Sequence, residues 1–171
     1  MSESIETRLR RLEAIEEIKS LKAHYAFLCD NGGSPDELAS MFAADGTWRG
    51  DRGFAAGKHT GHDALREFYR KNALERVSWA IHFVIAPRIE ISEDFTTARG
   101  TWYLWQPSTV VGHGDHWVSG WYEDEFVFEE GRWKFADMFL RFATIAEYGK
   151  GWEGAAYGAW SSDEPLTWQD R

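Results

Sequence analysis

The sequence predicts an α+β fold in which a curved antiparallel sheet wraps around N-terminal helices to form a cone or barrel. Two observations predict it: helical periodicity dominates the first part of the chain, and after Val77 the pattern becomes typical of β-strands. Helices followed by a run of strands indicate helices packed on one face of an antiparallel sheet. Such a curved sheet leaves a cone-shaped pocket between the two layers.

The first helix runs from about Ile5 to Leu28, because apolar residues recur along it at spacings of three to four. Asn31-Gly32-Gly33 ends this helix, since glycine accepts the left-handed conformation found at helix C-termini. The apolar positions are Leu9, Leu12, Ile15, Ile18, Leu21, Tyr25 and Leu28, with Lys22 beside Leu21.

Two shorter helices follow. The second is predicted from Ser34 to about Phe42, because Ser34 can cap it, Pro35 suits the first turn and Glu37 completes a capping box. The third is predicted over roughly His62 to Lys71, with Leu65, Phe68 and Tyr69 on one side.

Strands make up most of the remaining chain. A turn at Ala43–Gly46 leads into a short strand at Thr47–Arg49, and the glycine-rich stretch Gly50–Gly61 predicts a loop. Glu130-Gly131 indicates a tight hairpin between the last two strands. The four longer strands are predicted at Trp79–Ile91, Thr96–Gln106, His116–Glu129 and Arg132–Thr144.

The length and composition indicate one globular domain over residues 1–171, with a Gly- and Trp-rich tail at 149–171. An apolar fraction of 43% and a charged fraction of 27% argue against disorder. Ten Trp, eleven Phe and six Tyr exceed what a core of this size normally needs. They indicate either an aromatic core or oligomer interface, or a cavity for a flat or hydrophobic ligand.

The charge and the termini limit the partners. A net charge of −9 argues against nucleic acid, which needs a basic surface. Met1–Arg11 lacks the apolar stretch of a signal peptide, and no uncharged run approaches a membrane span, so we expect a cytoplasmic protein without membrane contact. The single Cys29 excludes an internal disulfide, and we interpret it as a small hydrophobe.

Four polar residues are the candidates for chemistry, because polar groups are costly among apolar neighbours unless they are paired or used. His82 shares a predicted strand face with Ala80 and Val84, whose small side chains leave space around the imidazole. A lone histidine is often a satisfied core residue, but this spacious face favours a functional role. The four candidates are Tyr25, Asp30, His82 and Arg141.

Asp30 follows the first predicted helix, where the helix dipole disfavours a carboxylate, so another group must hold it. It is either a turn residue or the partner of His82 in an acid–histidine dyad. Tyr25 is either a core tyrosine or a donor to a substrate oxygen. Arg141 either pairs with Asp137 on its own strand face or binds a carboxylate or developing oxyanion.

Other motifs are weak. His113 and His116 flank a glycine turn, where two histidines and one carboxylate occur by chance, and we predict no metal. The chain lacks G-x-G-x-x-G, P-loop and G-x-S-x-G sequences, which removes the usual nucleotide and serine-hydrolase interpretations.

At these residues the chain resembles the SnoaL-like branch of the nuclear-transport-factor-like superfamily, from Leu12 to about Trp152. It is closest in pattern to the bile-acid dehydratases and is similar to scytalone dehydratase and hexachlorocyclohexane dehydrochlorinase. The resemblance implies an α+β cone, often assembled as a trimer, that eliminates water or hydrogen halide without a cofactor through an Asp–His pair. The stretches that carry it are Ile15–Lys22, Tyr25, Asp30, His82, Gly100–Leu104, Trp133–Phe135 and Arg141.

The resemblance also implies roles for single residues. The tyrosine, aspartate and histidine of the family fall on Tyr25, Asp30 and His82, and the arginine of the bile-acid enzymes falls on Arg141. Gln106 stands where relatives place an acid or a second histidine, and Trp48 stands near a position where relatives use tyrosine. We therefore expect four substrate-binding residues, which are Trp48, Trp102, Gln106 and Phe139.

The expected function is that of a cofactor-independent lyase, a dehydratase, acting on a small hydrophobic cyclic or aromatic substrate. A homo-oligomer is expected, with a trimer favoured and a dimer as the alternative. A formaldehyde-releasing carbon–carbon lyase and a double-bond isomerase stay open on the same residues. A non-catalytic binding or assembly module is the other alternative, and it predicts that Asp30 and His82 lie apart and that Arg141 pairs with Asp137.

Overall fold

Three α-helices and a seven-stranded sheet form the part of the chain that the computed structural model describes, residues 3–52 and 55–152. The helices are α1 (Ile5–Asp30), α2 (Pro35–Ser40) and α3 (His62–Tyr69), and a π-helical segment (Arg70–Arg76) continues α3. The strands are β1 (Phe42–Gly50), β2 (Gly57–Thr60), β3 (Val77–Ala80), β4 (Phe83–Ile91), β5 (Thr97–Val110), β6 (Gly114–Glu129) and β7 (Arg132–Glu147).

Local side-chain chemistry caps the first two helices, but α2 ends at Ser40, and Phe42, its predicted end, is the first residue of β1. Ser4 caps α1 by accepting a hydrogen bond from the backbone N–H of Thr7 at 3.1 Å. The predicted capping box of α2 is confirmed, since Ser34 and Glu37 each accept a hydrogen bond from the other's backbone N–H. α1 extends two residues beyond its predicted end, so Asp30 is its last helical residue.

The sheet follows the order β2-β1-β7-β6-β5-β3, and β4 also pairs with β5. All pairs are antiparallel except β1 with β7, which run parallel. Register shifts in β6–β7 at Ser119/Gly120 and Glu125/Phe126 bend these long strands. The helices cover one face of this curved sheet, and the predicted α+β cone is confirmed.

Two parts of the sheet differ from the sequence prediction. The predicted loop Gly50–Gly61 contains β2, which pairs with a longer β1 than expected. The predicted strand Trp79–Ile91 is broken into β3 and β4, because the backbone N–H of His82 bonds to the Asp30 carboxylate at 2.9 and 3.1 Å. That amide is therefore engaged by a side chain rather than by a neighbouring strand.

The core lies between α1 and the inner face of β5, β6 and β7. No helix among the described residues is long and apolar enough to cross a membrane. The predicted tail at 149–171 falls within the described residues only as far as Trp152. The largest fully buried side chains include Ile18, Lys22, Phe42, Tyr122, Phe126 and Phe135.

Candidate active site

A cavity of about 290 Å³ lies between the helices and the inner face of the sheet. Its wall combines α1, α3, β3 and the central strands, and seven of its 18 described lining residues carry a Phe, Tyr or Trp ring. Cavities of this composition suit flat or hydrophobic ligands held by a few polar groups. The aromatic lining residues are Tyr25, Trp48, Phe68, Tyr69, Trp79, Tyr122 and Phe142.

Asp30 and His82 meet in this cavity although 52 residues separate them. Nδ1 of His82 lies 2.5 Å from Oδ1 of Asp30, and both side chains are mostly buried. The carboxylate also accepts the backbone N–H of His82, so ring and main chain are held by the same group. These bonds supply the partner that a carboxylate at a helix C-terminus requires.

This geometry assigns the tautomer of the neutral imidazole. A carboxylate accepts hydrogen bonds, so Nδ1 carries the proton and Nε2 keeps its lone pair. A histidine oriented in this way can remove a proton from a ligand that enters the cavity.

Tyr25 lines the same cavity and is almost fully buried in the described structure. Burial raises its pKa well above the ordinary value, with smaller contributions from neighbouring groups such as Cys29 and Tyr69. The phenol therefore stays protonated near neutral pH and can donate a hydrogen bond. Burial also raises the pKa of Cys29 to about 12, which keeps this lining residue a protonated thiol.

Trp48 and Gln106 are the predicted substrate-binding residues that line the cavity. The Trp48 indole packs against Phe68 with ring centroids 4.2 Å apart, and its Nε1 has no hydrogen-bond partner among the described residues. Gln106 lies on the inward face of β5 and is buried. Both can offer a polar contact to an oxygen-bearing ligand in an otherwise apolar wall.

The structure does not bring the other three predicted residues to the cavity. Trp102 is buried and packs edge-on against Phe126, so it belongs to the core. Phe139 and Arg141 lie on the outer face of β7, because Leu140 beside them points inward and lines the cavity. None of the three is among the described residues that line the cavity, and their part in the site stays a prediction.

Arg141 has a partner on that outer face. Its Nε donates to Oε1 of Glu123 at 3.0 Å, and its guanidinium lies over the Phe139 ring. The alternative partner Asp137 instead pairs with Arg49. We therefore leave Arg141 out of the catalytic group.

Several lining residues were not predicted. Phe68 and Tyr69 were placed on one side of the third helix, so the apolar stripe already carried the signal. Tyr122 lies on the same face of β6 as the buried residues Val118 and Phe126, which also indicates an inward position. Among the described residues, no group of three or more His, Cys, Asp or Glu side chains could hold a metal ion.

A buried ion pair lies beneath the aromatic wall and was also missed. Nζ of Lys22 lies 2.7 Å from Oδ2 of Asp124, and both side chains are almost fully excluded from solvent. The ammonium sits 3.4 Å from the centroid of the Tyr122 ring, which lines the cavity. Lys22 shares the buried stripe of α1 with Ile18 and Tyr25, a position that could have been read from the helical spacing.

The fold and the site define an α+β cone that encloses an Asp–His pair in an aromatic cavity. The chain belongs to the family of SnoaL-like domains, whose pattern it matches over residues 10–138. A comparison with curated protein sequences gives no significant match.

Solved structures of the same fold include a scytalone dehydratase-like protein from Novosphingobium aromaticivorans. It is 23% identical, with a TM-score of 0.70 over 85% of this chain and 92% of that chain. The hexachlorocyclohexane dehydrochlorinase LinA-type3 from Novosphingobium barchaimii LL02 is 20% identical, with a TM-score of 0.69 over 84% and 93%. An NTF2-like protein with a cystatin-like fold from Novosphingobium aromaticivorans is 19% identical, with a TM-score of 0.65 over 81% and 87%.

Proposed function

We propose that this protein is a cofactor-independent lyase that removes water from a hydrophobic cyclic or aromatic substrate. The observation that carries the proposal is the contact between His82 and Asp30 in an aromatic cavity. A binding module has no need of this pair, and the alternative of a non-catalytic protein predicted that the two residues lie apart. The dehydratase and dehydrochlorinase names of proteins with this fold agree with the same class of reaction.

Each step uses groups that the cavity contains. Nε2 of His82 removes a proton from a substrate carbon, and the electron pair of that C–H bond forms the new double bond while the C–O bond breaks. The imidazolium gives its proton to the departing hydroxyl, so water leaves and His82 returns to its neutral form. Asp30 stabilises the imidazolium, and Tyr25 donates a hydrogen bond to the substrate oxygen.

The experiment is turnover of a panel of hydroxylated alicyclic ketones and hydroxylated aromatics, followed by mass spectrometry. We expect one substrate class to lose water in the presence of the protein. The variant His82→Ala should lower kcat by about 10²–10⁴-fold, the usual contribution of a general base. The matched control is His24→Ala, because His24 is exposed on α1 and should not affect turnover. Turnover that survives His82→Ala would refute the proposed base.

The products separate the remaining enzyme alternatives. Release of formaldehyde from a lignin-derived diaryl compound would identify a carbon–carbon lyase, and an unchanged product mass with a moved double bond would identify an isomerase. Both reactions need the same base and a hydrogen-bond donor to a substrate oxygen, so the site geometry is common to them. Tight binding without conversion of any panel member would favour the non-catalytic alternative.

A further inference from the structure

Tyr122 is a buried phenol of the cavity wall that has no part in the steps given above. It lies on the inward face of β6, lines the cavity and is only 2% exposed. Burial raises its pKa well above the ordinary value, so the phenol stays protonated near neutral pH. A protonated phenol in the wall of a cavity can donate a hydrogen bond to a ligand.

The ammonium of Lys22 lies against the face of this ring. Nζ is 3.4 Å from the Tyr122 ring centroid and donates a hydrogen bond to Oδ2 of Asp124 at 2.7 Å. Lys22 is not among the described residues that line the cavity, whereas Tyr122 is. The Tyr122 ring therefore joins a buried cation to the cavity. Three further rings lie 5.3–5.5 Å from the ammonium, and they belong to Tyr25, Trp102 and Phe135.

A cation at the face of a phenol ring makes its hydroxyl a stronger hydrogen-bond donor. The positive charge attracts the π-electrons and lowers the free energy of negative charge that gathers at the phenol oxygen. Lys22 and Tyr122 are both almost fully excluded from solvent, so water screens this interaction little. Asp124 makes the pair neutral as a whole, and the ring contacts its positive end.

Stability of the core does not explain why these charges are buried. The desolvation of a buried ion pair offsets much of its attraction, and apolar residues of similar volume often stabilise a core equally well. Oδ1 of Asp124 has no hydrogen-bond partner among the described residues, which adds to the cost of this pair. A role in the cavity accounts for a charge at this position, because the ring that Lys22 contacts lines the cavity.

The charges of the cavity wall show what such a donor would supply. The described lining residues include one carboxylate, Asp30, and no Lys or Arg. When His82 removes a proton from carbon, negative charge develops on a substrate oxygen that is conjugated with this carbon. Neutral donors of the wall must stabilise that charge, and a donor placed over a buried cation does so best.

We propose that the Tyr122 hydroxyl donates a second hydrogen bond, beside that of Tyr25, to the substrate oxygen on which negative charge develops, and that Lys22 strengthens this bond through the Tyr122 ring. The oxygen is the carbonyl oxygen of a hydroxylated cyclic ketone. It receives part of the electron pair of the C–H bond that His82 cleaves, and the pair returns to carbon as the C–O bond breaks. Tyr122 is then a catalytic residue, whereas Lys22 touches no substrate and is a positioning residue. Their role in catalysis rests on the proposed function.

A bound phenol measures the donor without any turnover. The probe is 4-nitrophenol, whose phenolate oxygen imitates the developing oxyanion and whose phenolate form absorbs visible light. Absorbance of the protein–probe complex at a fixed pH gives the ratio of bound phenolate to bound phenol. Tyr122→Phe removes the hydroxyl but keeps the ring. It should lower this ratio by at least about 10-fold, because hydrogen bonds to charged groups are among the strong ones.

Two neutral versions of the ion pair test Lys22. The double variant Lys22→Met/Asp124→Leu removes both charges and keeps the hydroxyl of Tyr122, and the ratio should still fall several-fold. Lys22→Gln/Asp124→Asn is the more conservative version and replaces it if the first does not fold. A purely structural role of Lys22 would leave the ratio unchanged in a folded variant. Circular dichroism confirms that each variant is folded.

The matched control is Tyr103→Phe, because Tyr103 is 61% exposed and is not among the described residues that line the cavity. It loses the same hydroxyl and should leave the ratio unchanged. An unchanged ratio in Tyr122→Phe, or a wild-type protein that binds neither form of the probe, would overturn the donor. An unchanged ratio in a folded neutral-pair variant would overturn the role of Lys22.

This inference and the proposed function can fail separately. If no member of the substrate panel is converted but Tyr122→Phe lowers the phenolate ratio, the lyase proposal is wrong and the donor remains as a ligand-binding group. If a panel member is converted with the same kcat by the wild type and by Tyr122→Phe, the lyase proposal stands and the catalytic role of Tyr122 is wrong.

Discussion

The Asp30 carboxylate, at the end of α1, positions both the side chain and the backbone of His82. It accepts both the ring N–H and the backbone N–H of His82. The first bond orients the imidazole, and the second breaks the strand in which the sequence placed His82. The sequence pointed to the pair, but the bond to the backbone could not be read from residue types, because any residue at position 82 offers the same amide.

Lys22 and Asp124 form an ion pair that is almost fully excluded from solvent in the described core, so each charge is stabilised mainly by the other. Lys22→Met leaves the Asp124 carboxylate buried without its partner and should destabilise the protein by about 3–5 kcal/mol. The double variant Lys22→Met/Asp124→Leu removes both charges and should recover most of that loss. Urea unfolding measures both, and a double variant as unstable as the single one would contradict this prediction.

The Lys22–Asp124 pair also makes the free energy of unfolding depend on pH. Burial raises the pKa of Asp124 to about 6 although Lys22 attracts its charge. The folded protein then binds more protons than the unfolded chain between pH 3.8 and about 6. The contribution of this carboxyl to the free energy of unfolding therefore decreases as the pH rises through this window and is constant above it.

The comparison is with Asp124→Asn, which does not titrate. The urea midpoint of the wild type, measured relative to that of this variant, should fall as the pH rises from pH 4 to pH 6. A difference that stays flat over this range would show that Asp124 titrates alike in both states.

At the scale of elements, the bends of β6 and β7 decide which side chains face the cavity. Between the pairs Phe126–Phe135 and Glu125–Asp137, β7 contains one extra residue, Ala136. A second shift lies beside Gly120. Each extra residue reverses the facing of the residues after it, so strict alternation cannot tell from sequence which of two neighbouring residues points inward.

Gly120 tests this bend. A Cβ built there lies 2.0 Å from the backbone oxygen of Arg141, which cannot move without disturbing β7. Gly120→Ala should therefore destabilise the protein by about 1–3 kcal/mol or more through overpacking. The matched control is Gly149→Ala, since a Cβ at Gly149 meets no atom of the described residues within 4 Å. Thermal and urea unfolding measure the stability of both variants. Equal stability would refute the close approach of Gly120 to the backbone of Arg141.

Among the elements, those with strong local signals were predicted well. α1 and the capping box of α2 follow from side-chain spacing and from hydrogen bonds within a few residues. β2 was missed because it is only four residues long, lies in a glycine-rich stretch and, within the described sheet, pairs only with β1. The parallel pairing of β1 with β7 likewise joins distant parts of the described chain.

At the scale of the whole molecule, the sheet curves around the helices, and a cavity of about 290 Å³ remains between these two layers. Filling this space should remove ligand binding. Ala80 lines the cavity, and Ala80→Leu adds bulk there, whereas Ala23→Leu adds the same bulk on the exposed side of α1.

The probe is 2-naphthol, a flat hydroxylated aromatic. At 100 times its dissociation constant it should stabilise the wild type and Ala23→Leu by about 2.7 kcal/mol, read as a rise in Tm. Ala80→Leu should show little or no rise. An equal rise in all three proteins would place the binding site elsewhere.

The sequence by itself determined the α+β class, the main helices, the hairpin strands and the residue types of the Asp–His pair. These features arise from periodicity, caps and turns, all of which act over a few residues. Only the tertiary structure decided that Arg141 faces outward and that Lys22 meets Asp124. These outcomes depend on register and on contacts between distant segments, and no local pattern encodes the direction in which a bent strand turns its side chains.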